Sequence, residues 1–238
     1  MTQVQHLRQA AQEPTDSADP ANDHWLSART HLECYEVNVS SDEELSMARH
    51  RLPAGSYLTA RSSIPLREHV LPLVDRMALL RRIGAPPVDP SPGSTVTLRQ
   101  RHAAELGELL ADHFAHRWSR EPAFESGLVR QAYRDWGVGL PQRSLLIRGA
   151  MDGNRIIAVA AVRLLDQEIG LVDPIVTHFD FRSKGLATTV LRGALALLPS
   201  NISSVEAAVA TDNEASLRVF DKLGFEPYAQ RYLYAGLL

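Results

Sequence analysis

The chain has 238 residues, 45% hydrophobic and 22% charged, which is the balance of an ordinary soluble globular protein. Its net charge of −3 lacks the basic excess that binding to a phosphate backbone requires, so we expect no nucleic-acid partner. The single cysteine, Cys34, excludes an internal disulfide and a thiolate zinc cluster, so we expect no metal and a reducing, cytoplasmic location.

Residues 1–23 are polar and lack the basic-then-apolar order of a signal peptide, so we expect a disordered leader. The longest apolar stretches fall far short of the ~20 residues that a membrane helix needs, so we expect no membrane partner. Residues 24–90 predict a small N-terminal α/β domain. Its predicted elements are strand 33–39, helix 42–51 opened by Ser40 and Ser41, strand 56–60 and a longer helix between Pro65 and Ile83.

The longer helix is predicted from apolar residues that recur at three- and four-residue steps and stop at Gly84. These residues are Val70, Leu73, Val74, Met77, Leu80 and Ile83. Four prolines and a glycine in residues 85–93 interrupt any helix or central strand, so we place a domain boundary there.

Residues 94–238 predict a second α/β (α+β) domain with a mixed, mostly antiparallel sheet flanked by helices. The predicted elements are strand 95–98, helices 101–114 and 124–136, strands 144–148, 156–164 and 169–177, helix 184–198, strand 205–210, helix 213–223 and strand 226–234. Short turns between the three middle strands predict antiparallel pairing. A right-handed crossover through helix 184–198 makes strands 169–177 and 205–210 parallel neighbours.

The strongest local motif runs from Phe181 to Ala187, between a strand and the first turn of a helix. A helix N-terminus offers unpaired N–H groups and a partial positive charge, which suit an anion. Gly185 lets the backbone approach that anion because it has no Cβ. The motif therefore predicts a pyrophosphate site.

Arg182-x-x-Gly185-x-Ala187 resembles the pyrophosphate signature of the GNAT superfamily: Arg or Gln, two residues, Gly, one residue, Gly or Ala. A second motif, from Asn213 to Gly224-Phe225, resembles the closing helix of that superfamily. The resemblance covers residues 94–235 and implies an N-acetyltransferase that moves an acetyl or similar group from acetyl-coenzyme A to an amine. The coenzyme A contacts that it implies are Ile175, Val176, Thr177, Arg182, Ser183, Lys184, Gly185, Leu186, Ala187, Thr188, Asn213, Ser216 and Phe220.

In such a fold the 169–177 and 205–210 strands splay apart, and the pantetheine arm pairs with the open edge as an added strand would. Pro174 supports this expectation, because proline inside a strand is tolerated at bulges and open edges. The backbone of Ile175 to Thr177 is then expected to hold the thioester, with one N–H as the oxyanion donor.

Asp173 is the first candidate for taking the proton that the attacking amine must lose. It precedes Ile175 and Thr177 by two and four residues, so we expect it on the same face of the strand. Alternatively, Asp173 only initiates a bend before Pro174. Glu168 is the second candidate, and the third is a histidine at the strand end, His178, which we expect to be solvated.

Many relatives carry a tyrosine, which protonates the departing thiolate, where this chain has Phe220. Phenylalanine has no proton to give, so we expect Phe220 to pack in the core. The proton donor is then Tyr232, with Tyr228, Tyr234 or ordered water as alternatives, or no donor is needed.

The segment 113–136 combines aromatic and cationic residues at the place where GNAT folds bind acceptors. The predicted contacts are His116, Arg117, Trp118, Arg120, Tyr133 and Trp136. The Tyr133-x-x-Trp136 ending is similar to that of TDP-fucosamine acetyltransferases, whose N-terminal half is like a truncated GNAT unit. This resemblance implies a nucleotide-linked amino sugar, with Arg117 and Arg120 pairing its phosphates. Alternatively, the aromatic residues belong to the core and the arginines cover them.

Two other functions stay open at this point. One is an enzyme that acetylates an antibiotic, another small-molecule amine or a peptide amine. The other is a non-catalytic module that binds acyl-coenzyme A. A homodimer also stays open as a partner state.

Overall fold

The structure of the chain is a computed structural model that describes residues 19–30, 32–67, 71–84, 95–114 and 124–238. The described residues form ten strands: β1 Ala21–Asn22, β2 Cys34–Val39, β3 Tyr57–Ser62, β4 Leu73–Ile83, β5 Val96–Thr97, β6 Leu146–Asp152, β7 Arg155–Leu164, β8 Ile169–Thr177, β9 Ser204–Ala210 and β10 Glu226–Leu237. They also form seven α-helices: α1 His24–Thr30, α2 Asp42–His50, α3 Ala103–Phe114, α4 Ser126–Val138, α5 Leu140–Arg143, α6 Leu186–Leu195 and α7 Glu214–Asp221.

Contacts divide the chain into two compact units. The first unit comprises Met1–Leu79, Ala208–Glu214 and Pro227–Leu238, and the second comprises Leu80–Ala207 and Ala215–Glu226. The division therefore falls before the proline-rich segment. The end of the chain, Pro227–Leu238, belongs to the same unit as the N-terminal residues.

The first unit contains a parallel β2–β3 pair connected by α2. β1 pairs antiparallel with β2, and β10 pairs antiparallel with β3. The expected opening of α2 is confirmed, since Ser41 Oγ accepts a bond from Glu44 N at 3.2 Å. Glu44 in turn accepts a bond from Ser40 N at 2.6 Å. The first of these bonds satisfies a donor that the start of a helix leaves without an intrahelical partner.

A buried apolar cluster holds the first unit together. Its members lie on β2, α2, β3, the following loop and β10: Val37, Val39, Leu45, Ala48, Leu58, Ala60, Leu66, Leu71 and Tyr234. The Tyr234 hydroxyl accepts a bond from Leu66 N at 2.6 Å and donates to Leu66 O at 3.1 Å. These bonds allow a polar atom to lie inside the cluster.

The expected helix between Pro65 and Ile83 is wrong, because Leu73–Ile83 forms strand β4. Arg76 O accepts a bond from Thr211 N at 2.8 Å in the first unit, and Gly84 N bonds to Ser203 O at 3.4 Å in the second. The apolar residues recur at helical spacing, but the adjacent apolar pairs Leu73-Val74 and Leu79-Leu80 also fit a strand. Partners from a distant part of the sequence decide in favour of the strand.

The second unit contains strands in the order β9-β8-β7-β6-β5. β5, β6, β7 and β8 pair antiparallel in succession, and β8 pairs parallel with β9, as the sequence predicts. The two faces of this sheet are covered by different helices. Ile147 joins a buried cluster with Leu106, Leu109 and Leu110 of α3, whereas Arg148, one residue later, faces Gly193 of α6.

Helices α3 and α4 approach each other closely at two glycines. A Cβ on Gly137 would lie 2.6 Å from the Gly107 Cα, and a Cβ on Gly107 would lie 2.9 Å from Arg134 O. Contacts that short leave no space for a side chain on either glycine. This close packing sets where the aromatic residues of α4 lie.

Cys34 provides a test of the first unit. Its side chain is fully buried, and burial raises the pKa of its thiol. We expect iodoacetamide to modify Cys34 about a hundredfold more slowly in the native chain than in denaturant. Mass spectrometry over time measures both rates, and the denatured sample is the control. Equal rates would contradict the buried position of β2.

Candidate active site

The loop between β8 and α6 lies at the surface. Residues 182–185 are exposed, and the backbone has positive φ at Ser183 (63°) and Gly185 (77°). The first bond of α6 runs from Thr189 N to Gly185 O at 3.1 Å. The N–H groups of the three preceding residues, 186–188, therefore point out of the N-terminal end of the helix.

Gly185 leaves room beside these N–H groups. A Cβ built on Gly185 would meet no protein atom within 4 Å among the described residues. Two cations lie on the same loop: Arg182 approaches Thr177 O at 3.5 Å, and Lys184 Nζ lies 4.9 Å from the Phe181 ring centroid. Open space, unpaired N–H groups and two cations fit a diphosphate such as that of coenzyme A.

The outer edge of β8 carries the next part of the site. Parallel pairing with β9 is registered from Ile169 to Leu171 in the described residues, whereas β8 continues to Thr177. On the other edge His178 N bonds to Ile157 O at 2.8 Å, and Val176 lies opposite Val159. Since neighbouring residues alternate in an antiparallel ladder, the N–H groups of Ile175 and Thr177 point away from β7.

Thr177 adds a second polar atom near this edge. Its Oγ1 is buried and has no hydrogen-bond partner within the part of the chain that the structure describes. An unpaired buried hydroxyl is unusual and costs free energy. A polar ligand atom seated beside β8 would supply the missing bond.

A β-bulge lies at Asp173 and Pro174, as expected for a proline inside a strand. Ile175 lies opposite Ala160 and Val172 opposite Val162, so two residues of β8 face Ala161. The extra residue interrupts the alternation of side chains along the strand.

The bulge corrects the expected orientation of Asp173. Its carboxylate lies 3.4 Å from Nε of Arg163, which shares its face of β7 with Val159 and Ala161. That face is covered by α3, so Asp173 does not share a face with Ile175 and Thr177. The expectation is wrong because a two-residue step reaches the same face only in a regular strand.

Asp173 belongs to a buried ion-pair cluster. The Asp173 and Arg163 side chains are 15% and 4% exposed. Burial raises the pKa of Asp173, while Arg163 and then Arg143 act in the opposite direction. Burial also lowers the pKa of Arg143 to about 10.

Arg143 connects this cluster to a predicted acceptor residue. Its Nη2 donates to Trp136 O at 2.5 Å, and its guanidinium carbon lies 5.3 Å from the Trp136 ring centroid. The structure therefore brings Asp173 and Trp136 to one place through Arg143. Sequence reasoning missed Arg143 and Arg163, because Trp136 and Arg143 lie on successive helices, α4 and α5, and Arg163 lies on β7.

Tyr133 and Trp136 form a half-buried aromatic cluster with Phe114. The Phe114 and Tyr133 rings stack at 5.4 Å between centroids, and Phe114 and Trp136 meet edge-on at 5.5 Å. Phe114 and Trp136 also pack against the core of the second unit. The other predicted acceptor residues, His116, Arg117, Trp118 and Arg120, lie outside the described residues.

The two alternative proton acceptors differ in position. Glu168 lies seven residues before Ile175, about 23 Å away along an extended strand. The expectation that His178 is solvated is wrong, since it is 5% exposed. It lies beside Phe179, with Nε2 at 2.5 Å from Arg155 Nη2. Because a guanidinium only donates, Nε2 accepts this bond.

The predicted residues of the C-terminal elements fall in both units. Tyr232 lies in the first unit, half-buried against the apolar cluster, with its hydroxyl 3.1 Å from Gln230 Oε1. Asn213 also lies in the first unit, and its N–H bonds to Ala210 O at 2.9 Å. Ser216 lies on α7 in the second unit.

The core position expected for Phe220 is confirmed. Its side chain is 2% exposed and meets Phe225 edge-on, with 5.0 Å between ring centroids.

A model of the Acetyltransferase (GNAT) family matches residues 103–225, which is more than half of the chain. The chain belongs to the GNAT acetyltransferase family. It is therefore an acyltransferase of the type that uses an acyl-coenzyme A donor. The pyrophosphate motif and the closing-helix motif both lie inside the matched segment or at its end. No curated protein matches the sequence significantly.

Solved structures with the same fold include three that cover most of this chain. An acetyltransferase assigned to the GNAT family from Novosphingobium aromaticivorans is 18% identical, with a TM-score of 0.54 over 82% of this chain and 80% of that one. A GCN5-related N-acetyltransferase from Kribbella flavida is 14% identical, with a TM-score of 0.56 over 98% and 92%. A tandem GNAT protein from the clavulanic acid biosynthesis pathway is 19% identical, with a TM-score of 0.54 over 82% and 67%.

Two further observations concern the part of the chain that the structure describes. None of its helices has the length and apolar character needed to cross a membrane. Nor do three or more of its His, Cys, Asp or Glu side chains cluster as metal ligands would.

Gly185→Ala tests the diphosphate site against a matched control. Both Gly185 and Gly153 have positive φ and open space where a Cβ would lie, so alanine at either position costs about 1–2 kcal/mol of stability. Only at Gly185 does the methyl group point to the proposed ligand. We expect calorimetric titration to show coenzyme A affinity reduced about tenfold or more in Gly185→Ala and unchanged in Gly153→Ala. Equal affinities in the two variants would contradict the site.

Proposed function

We propose that this acyltransferase binds acetyl-coenzyme A on the 182–188 loop and transfers the acetyl group to the amino group of a nucleotide-linked amino sugar. One observation supports the donor site. The end of β8, where N–H groups point outward, is connected by the short segment 178–185 to the exposed N-terminus of α6. A thioester paired with β8 thus has its diphosphate within reach of the loop.

Three groups on the loop support binding of the donor. The N–H groups of residues 186–188 and the positive end of α6 attract the diphosphate. Arg182 and Lys184 add two positive charges at the surface, and Gly185 leaves the approach clear. Bound acetyl-coenzyme A supplies an activated acyl group, and these residues hold and orient it.

An N–H of Ile175 or Thr177 is the proposed oxyanion donor. A fixed N–H directed at the acyl oxygen stabilises the charge that develops when the amine attacks. Val176 is excluded from this role, because its N–H faces β7.

Ile175→Pro tests this main-chain role. Proline removes the outward N–H without breaking a bond to β7, whereas Ile175→Ala shortens the side chain and keeps the N–H. We expect kcat to fall about a hundredfold in Ile175→Pro and only a few-fold in Ile175→Ala. Steady-state kinetics measure both, and circular dichroism controls for folding. Equal losses would assign the effect to the side chain instead.

Asp173 is the proposed proton acceptor. Burial raises its pKa, and a base whose pKa approaches the working pH accepts a proton more readily. It also lies on the face that carries Tyr133 and Trp136. Tyr232 is the proposed proton donor to the thiolate, because Phe220 has no proton to give and the Tyr234 hydroxyl is bonded to Leu66.

The aromatic cluster supports a sugar-nucleotide acceptor. Tyr133 and Trp136 are half-buried, so each keeps some surface on which a base or sugar ring can stack. The alternative acceptors, an antibiotic, another small-molecule amine or a peptide amine, would use the same surface.

The first unit is proposed to be a truncated GNAT half without a second donor site. The parallel β2–α2–β3 arrangement is like the crossover in the second unit. However, the first turn of α2 carries Asp42, Glu43 and Glu44, and Ser41 already accepts a bond there. Three carboxylates at a helix N-terminus repel a diphosphate.

A thiol-release assay tests the acceptor. The full chain with acetyl-coenzyme A is offered nucleotide amino sugars, aminoglycosides and peptide amines under identical conditions. We expect kcat/KM for a nucleotide amino sugar to exceed that for the others by about a hundredfold or more, because buried polar contacts discriminate strongly. Preference for an aminoglycoside or a peptide would replace this acceptor with that one. Calorimetric binding of acetyl-coenzyme A without turnover of any amine would favour the non-catalytic module.

A further inference from the structure

Arg143 is held in a fixed position at the end of α5. Its guanidinium lies over the Trp136 ring and donates to Trp136 O. A Cβ on Gly139 would lie 2.7 Å from Arg143 Nη1, so the glycine leaves the space that the guanidinium occupies. Because the guanidinium is already oriented, little conformational entropy is lost when it binds a ligand.

The charges around Arg143 are unequal. Asp173 and Arg163 are the charged groups whose effect on Arg143 is resolved among the described residues, the first raising its pKa and the second lowering it. The Asp173 carboxylate thus acts on both guanidinium groups, of which Arg143 is half-buried and Arg163 is buried. A partly desolvated cation beside another cation gains from an additional anion.

The position of Arg143 indicates where that anion belongs. Trp136 separates Arg143 from Phe114 and Tyr133 in the aromatic cluster, which is on the proposed acceptor face. The diphosphate loop follows the C-terminal end of β8, and its Arg182 approaches Nδ1 of His113, next to Phe114, at 3.3 Å, whereas Arg143 contacts Trp136. An anion that reaches Arg143 is therefore carried by the acceptor rather than by the diphosphate of the donor.

We propose that Arg143 binds an oxyanion of the acceptor, a carboxylate or a phosphate, and so restricts the amines that this enzyme acetylates to those that carry one. The inference rests on the proposed function, because it assigns the aromatic face to the acceptor. Carboxylate and phosphate share the paired oxygens that a guanidinium binds with two parallel hydrogen bonds. The shared ligand chemistry is thus a negatively charged pair of oxygens.

Anion titrations of the full chain test the proposal. Inorganic phosphate and acetate are added separately at saturating coenzyme A, which occupies the loop, and the melting temperature gives the affinity. Arg134, a half-buried residue of α4 paired with Glu108 at 2.7 Å, provides the matched control. We expect affinity for at least one anion to fall about tenfold in Arg143→Gln and to stay unchanged in Arg134→Gln. Equal affinity in all three chains would mean an adventitious ion only and would overturn the proposal. Failure of both anions to stabilise the wild type would mean that no anion binds and would overturn it as well.

Asp173→Asn gives a second, independent measurement. The change is nearly isosteric and removes the carboxylate that competes with the ligand for Arg143. We expect anion affinity to rise about tenfold, whereas a purely structural ion pair predicts no gain and would overturn the proposal. This variant also decides the case if Arg143→Gln does not fold.

Phosphate and acetate distinguish two kinds of acceptor. Tighter binding of phosphate indicates an acceptor that carries a phosphate, and tighter binding of acetate indicates one that carries a carboxylate. If coenzyme A fails to bind the wild type, the proposed function fails. The ratio of anion affinities between Arg143→Gln and wild type, measured without coenzyme A, then still tests Arg143 separately.

Discussion

The β-bulge at Asp173 and Pro174 is the constraint on which the site depends. In a regular strand the N–H of Ile175 would face β7, and Val176 would face the open edge. One extra residue reverses this order, so Ile175 and Thr177 present their N–H groups to the edge, while Asp173 turns to the helical face. The same residue therefore determines which amides would face the proposed acyl group and which carboxylate would lie near the proposed acceptor.

The parts of the site that depend on residues adjacent along the chain were predictable from the sequence. Residues 182–185 form a glycine-containing loop that leads into α6 because Gly185 permits positive φ there. Pro174 indicated a bulge or an open edge here, without deciding between the two. The face of Asp173 was not predictable, because a bulge changes the alternation and its location depends on the register with β7. Arg143 and Arg163 were missed for the same reason, since each takes its role from a residue on another element.

The error at β4 has a different physical origin. Its apolar spacing fits two structures, and the choice depends on hydrogen-bond partners from Ala208–Glu214 and from the end of the chain. The first unit is thus completed by C-terminal segments, including β10, which pairs with β3. Residues 24–90 alone would leave β3 with an open edge, and an open edge is a site of aggregation. Each unit is assembled from separate parts of the sequence. Patterns of residues adjacent along the chain cannot predict which separate parts pair.

Under the proposed function, the electrostatics of the buried cluster would connect substrate choice with proton transfer. Burial raises the pKa of Asp173, whereas Arg163 and then Arg143 act to lower it. An oxyanion bound to Arg143 offsets the positive charge, so the pKa of Asp173 rises when such an acceptor is bound. A higher pKa makes the carboxylate a stronger proton acceptor at the moment when the amine is present. An amine that lacks the oxyanion leaves Arg143 uncompensated and Asp173 the weaker base, so the same guanidinium would discriminate in both binding and catalysis.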